Sequence, residues 1–183
     1  MLRPLSFATA TLLALTSAAT YSTSYTLTDD YALRATAKGV EATFADLRGT
    51  VVFDPANLPA SSFDVSVATA SVRTGNKTQD KHARSDNWLD AGAHPRISFV
   101  STAFAKTATG YDVTGDLTIR GRTHAETIAF AFDGETFAGE LAVARGQYAK
   151  EWGTGATLLS LGPFLFGGLV GDVVAVALRV GVQ

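Results

Sequence analysis

Residues Tyr111–Phe132 read YDVTGDLTIRGRTHAETIAFAF, and their alternation decides the fold class. Tyr111, Val113, Leu117 and Ile119 share one parity, while Asp112, Thr114, Asp116, Thr118 and Arg120 share the other. Successive side chains on an extended strand point to opposite faces, so a period of two with one apolar parity marks a half-buried strand. Gly121-Arg122-Thr123 supplies a turn, and Ile128, Phe130 and Phe132 then resume a single parity.

The same pattern extends in both directions. Phe63, Val65 and Val67 alternate with Asp64, Ser66 and Ala68; Phe137, Leu141 and Val143 share a parity; Val174, Val176, Leu178 and Val180 finish the series. Turn chemistry separates the runs at Asp54-Pro55-Ala56-Asn57, Thr109-Gly110 and Asp133-Gly134. Many strands, short turns and no intervening helices predict one all-β domain, an antiparallel sandwich or barrel.

The alternation stops between Ser71 and Phe99, a stretch dense in polar groups. Here the spacing predicts a short helix of about three turns, from Lys77 to about Trp88. Asn76 is placed to cap it, with Gln79 as the partner in a capping-box-like pair. Asp80 falls in the first turn, where the helix dipole favours a carboxylate, and Arg84 lies four residues on, facing it. Trp88 and Leu89 would pack this helix across one end of the barrel.

Composition narrows the function classes. The chain has 183 residues, 46% of them hydrophobic, a net charge of −2 and no cysteine. Disulfides, thiol catalysis and cysteine metal sites are excluded. With no basic block, nucleic acid is a poor partner, because such binding rests on clustered Lys and Arg. Met1-Leu2-Arg3, the apolar run Leu5–Leu15 and the small residues Thr16–Ala19 read as a signal peptide over 1–19, too short to cross the ~30 Å core of a bilayer. Residues 20–183 would then form the domain, in the periplasm or secreted. Residues 152–171 carry no charge. Their glycines and Pro163 disfavour a spanning helix and suit an apolar loop or strand pair closing the barrel. A lipid-touching lip giving transient membrane contact is the other reading.

Several motifs resemble the YceI-like family: Gly49-Thr50-Val51-Val52-Phe53-Asp54-Pro55, then Ala70–Asn76 with Asp80-Lys81-His82, then Pro95–Thr102, and Gly115-Asp116-Leu117-Thr118-Ile119-Arg120-Gly121 followed by Thr123. Gln79 stands where an arginine is common, Ala83 where a leucine is usual, and Trp88 where phenylalanine is. The resemblance spans about Tyr25 to Val182. It implies an exported lipocalin-like antiparallel β-barrel of about eight strands with one short capping helix. It also implies a non-catalytic protein that holds an isoprenoid or other long-chain amphipathic lipid in its barrel.

A barrel that binds such a chain needs inward apolar side chains with room between them. Phe53, Phe63, Trp88, Phe99, Phe130 and Phe132 are the candidates for the lining, and rings that fill a solid core are the competing reading. For the head group, His82, Arg84 and Lys77 lie on or beside the proposed helix. Arg145 shares the inward parity of Leu141 and Val143, where a guanidinium must meet a carboxylate such as Asp80 or an anionic ligand. The three histidines (82, 94 and 124) have no metal-binding spacing, and no nucleophile motif is present. No cofactor and no catalytic residue is expected. The competing function is a structural or partner-binding β-domain with a filled core, and a homodimer is left open.

Overall fold

Seven strands follow one another around a curved wall, each hydrogen-bonded antiparallel to its sequence neighbour: β4 (Arg48–Phe53), β5 (Ser62–Ala68), β6 (Arg96–Lys106), β7 (Tyr111–Ile119), β8 (Arg122–Phe132), β9 (Thr136–Ala144) and β10 (Val173–Val182). The computed structural model describes residues 23–37, 40–148 and 173–183. The signal-peptide reading of 1–19 and the readings of 152–171 fall outside them.

What closes the wall is the start of the described chain. β1 (Thr23–Tyr25) pairs with β4, β2 (Leu27–Ala37) pairs with β10, and β3 (Val40–Phe44) turns back along β2. Between β1 and β2 stands only Thr26, whose N–H and C=O both bond to Gln183, at 2.9 and 3.1 Å. The two ends of the ten-strand order are thus one continuous piece of chain. Counting β1 with β2 and β3 with β4 as single bent paths, the wall has eight staves. This is an antiparallel lipocalin-like barrel, and closure of this kind covers sheet edges that would otherwise expose unpaired backbone. Where the ladder between these two bent paths lapses, the Tyr31 hydroxyl accepts the Asp46 and Leu47 N–H groups at 2.7 and 3.4 Å. Arg96 reaches across β5 to the same corner, donating to Asp46 O and Ser66 Oγ, each at 2.8 Å.

The turns follow their chemistry. Arg120 and Gly121, at φ 52° and 69°, form a two-residue hairpin turn with both residues left-handed, so that Ile119 faces Arg122. This sits one residue earlier than the Gly121-Arg122-Thr123 expectation, because Arg122 is already paired. Arg120 tolerates this conformation while its guanidinium donates to Trp88 O at 2.8 Å. Asp133 accepts the Glu135 and Thr136 N–H groups at 3.0 and 2.7 Å, and these bonds hold its carboxyl below the usual range.

The predicted helix exists but is shorter. α1 runs from Lys77 to Arg84, with Asn76 Oδ1 accepting from Thr78 and Gln79 N–H. Thr74 Oγ1, rather than Gln79, accepts the Asn76 N–H at 3.4 Å. Helical bonding ends at Ser85, whose N–H and hydroxyl both turn back to His82 O. Trp88 and Leu89 follow in a non-helical turn and are buried against the barrel end.

Candidate ligand-binding cavity

The register of the hairpins sorts the inward side chains by depth. At the end holding the 54–61, 107–110 and 133–135 turns, Tyr25, Phe53, Phe63, Phe104, Tyr111, Phe130, Phe132 and Phe137 come together. Phe53 is at their centre and wholly buried. Its ring lies 5.0 Å from Tyr111, 5.4 Å from Phe130 and Phe132, and 5.6 Å from Phe137, mostly edge to face. Such edge-to-face contacts suit the ring quadrupole. They form a solid floor.

Above that floor the wall is mostly aliphatic. A cavity of about 310 Å³ remains, bordered by Leu33, Ala42, Val51, Val65, Val67, Val72, Ile97, Val113, Leu117, Ile119, Ile128, Leu141, Val143, Val174, Val176 and Val180, with Phe63, Phe130 and Phe137 beneath. Phe99 crosses the wall over Gly115, where a Cβ would stand 2.5 Å from its Cζ and equally close to Val100 O. Ala83, at the usual leucine position, also borders the space.

At the α1 end the lining becomes polar. Thr74, His82, Trp88 and Arg145 border the cavity there. Arg145 does keep the inward parity, although β9 stops at Ala144 and Arg145 opens a single helical turn, α2 (Arg145–Tyr148). Its guanidinium carbon lies 5.8 Å from the centre of the Trp88 ring, a cation–π arrangement. His82 lies edge-on to the same indole, centroids 5.9 Å apart, and burial pulls its pKa below the ordinary 6.5.

Of the ten candidate residues, Phe63, His82, Trp88, Phe99, Phe130 and Arg145 border the cavity. Phe53 and Phe132 do not line it; they belong to the floor, because their positions beside turns place them below the chamber. Neither Asp80 nor Arg84 borders the cavity. Asp80 is buried and accepts the Thr74 N–H and hydroxyl, at 2.6 and 2.9 Å, which lowers its pKa. Arg84 Nη2 lies 3.8 Å from Asp80 Oδ2, and its Nε donates to Asp80 O. Asp80 therefore pins the loop before α1 to the helix and is turned to Thr74 and Arg84 rather than to Arg145. Lys77 is exposed.

Two features escaped the sequence reading. Phe104, Tyr111 and Phe137 join the floor, and the signal for them was an aromatic residue close to a turn at one end of the meander. The second feature is a polar cluster where β8 and β9 part: their ladder ends at Ala129 opposite Glu140, while β8 stays paired with β7 to Arg122. Tyr148 is wholly buried there, its hydroxyl donating to Glu126 Oε1 at 2.9 Å, and burial pushes its pKa well above the phenol range. His124 packs edge-on to Tyr148, with Nε2 2.9 Å from Gln147 O. No local pattern announces this cluster. Among the described residues, no group of three or more His, Cys, Asp or Glu is arranged to hold a metal ion.

Known proteins share this architecture. The sequence profile of the YceI-like domain matches residues 18–182. A UPF0312 protein from Pseudomonas savastanoi pv. phaseolicola is 42% identical over 97 residues, 52% of this chain and 50% of that protein. The chain thus spans about half the length of the curated relatives it matches. Among solved structures, Burkholderia cenocepacia BcnA is 28% identical with a TM-score of 0.69, over 84% of this chain and 96% of the other. A polyisoprenoid binding domain from Saccharophagus degradans shares the fold at 14% identity, with a TM-score of 0.53 over 87% and 93% of the two chains.

Proposed function

From the premise that the chain belongs to the YceI-like family, we propose that its barrel sequesters or carries the chain of an amphipathic, isoprenoid-type lipid, non-covalently and outside the cytoplasm. The observation that carries this reading is the 310 Å³ apolar chamber above a packed floor. Small-molecule sites begin at roughly 300 Å³. The filled-core alternative suits the floor but not the chamber. The polyisoprenoid-binding neighbour supports the choice of ligand at the level of shared fold.

In this reading the chain lies along the aliphatic wall, where each Å² withdrawn from water contributes ~25 cal/mol. The polar head stays at the α1 end. Arg145, held against Trp88, presents a planar fork suited to phosphate or another anionic head, with His82 beside the same indole. The protein acts by burial and release, without a reaction step. An N-terminal export signal would place it in the periplasm or outside the cell, and the uncharged 152–171 stretch would touch the membrane from which the lipid is drawn.

Organic extraction of the purified protein followed by mass spectrometry tests the reading. It should release a stoichiometric isoprenoid or related long chain. An extract free of such chains, from protein that also fails to take up added prenol, would sink it.

A further inference from the structure

We infer that Phe53 is the stop that sets how long an isoprenoid chain the barrel accepts, an inference that rests on the lipid-binding reading above. The chamber ends on three rings, Phe63, Phe130 and Phe137. Each is backed by Phe53, at centroid distances of 6.2, 5.4 and 5.6 Å. On the far side of Phe53 lie Tyr111 and Phe132, at 5.0 and 5.4 Å, and both of these are partly exposed. The barrier between chamber and solvent is therefore a shallow plug of rings with one wholly buried side chain at its centre.

The upper rings cannot simply swing aside for a longer chain. Phe137 is stacked on Phe132 at 4.2 Å, Phe130 on Tyr111 at 5.5 Å, and Phe63 sits edge-on to Phe104 at 4.9 Å. Moving any of them drives it into Phe53. A chain that fills the chamber must leave further isoprene units at the α1 end, in water, where they add nothing to affinity. The wall above is mostly aliphatic and surrounds the chamber from the side, so it sets the width of the ligand, and the floor sets its length.

The test is competitive binding by native mass spectrometry, with the full chain offered an equimolar mixture of farnesol, geranylgeraniol and a long polyprenol. The unaltered protein should show binding that rises with length and then levels off. Phe53→Val opens the plug and should move the plateau to the next longer prenol, changing the ratio of the two by about tenfold, what burying two further methylenes is worth. Phe137→Leu deepens the chamber from above and should move it the same way, less far, and it carries the test alone where Phe53→Val does not fold. Val143→Ala, at the α1 end, should alter binding of all lengths together without moving the plateau. An unchanged plateau in folded Phe53→Val and Phe137→Leu, or an equal displacement by Val143→Ala, overturns the stop and leaves the lipid-binding reading standing. Failure of the unaltered protein to bind any prenol overturns both.

Discussion

The two ends of the barrel are built from the same strands yet solve opposite problems. At the floor, aromatic residues beside the turns meet across the interior, and Phe53 has no exposed surface. Toward the α1 end the inward residues are mostly valines, leucines and isoleucines bordering a cavity, with Arg145, His82 and Trp88 at its polar end. The floor is packed to hold the barrel shut, and the chamber keeps its side chains apart. Close packing and open space are thereby separated along the barrel axis.

That separation can be broken most sharply by matched truncations. Phe53→Ala should lose about 3–5 kcal/mol in urea unfolding, because the ring leaves a hole the closed floor cannot refill. Leu141→Ala already borders open space and should lose about 2 kcal/mol, the low end for such a change. Equal losses would mean that the chamber is packed in solution as tightly as the floor. Next in size is Arg145→Leu, which should lower retention of a lipid with an anionic head several-fold while sparing a neutral prenol of the same length. Loss of folding with no selective effect on retention would instead make Arg145 a structural pin.

The smallest effect is on pH dependence. Because burial lowers the pKa of folded His82 below 6.5, the unfolded chain takes up its proton first. Its contribution to stability is complete above about that pH and is lost as the pH falls through the folded value. Asp80, also lowered, gives a second loss only as the pH drops below 3.8. His82→Gln should flatten the stability profile between neutral and mildly acid pH and leave the more acid fall intact. A variant profile parallel to the parent over the mildly acid range would contradict this assignment of His82.

Much of the wall was legible in the residues. The alternation in 111–132 and 136–144 gave each strand and its inward parity, and Arg145 keeps that parity even after its strand has ended. Asn76 caps α1 as its type and position predict. The helix ends sooner than predicted because Ser85 turns its N–H and hydroxyl back to His82 O, a side-chain competition that apolar spacing does not register. Strand parity puts Phe53 and Phe132 among the lining because it reports the face of a strand and not the depth along it. Their places beside Asp54 and Asp133 held the missing information.

The sequence by itself determined the β architecture, its turns, the helix cap and the family, because strand period and turn chemistry are local. The tertiary structure alone decided which inward residues fill space and which surround it, and that Tyr148 is buried on Glu126. Each of these depends on the closure of β1 and β2 between β4 and β10, and on the parting of β8 from β9. These contacts join residues far apart in the chain, and they set the depth at which every side chain meets another.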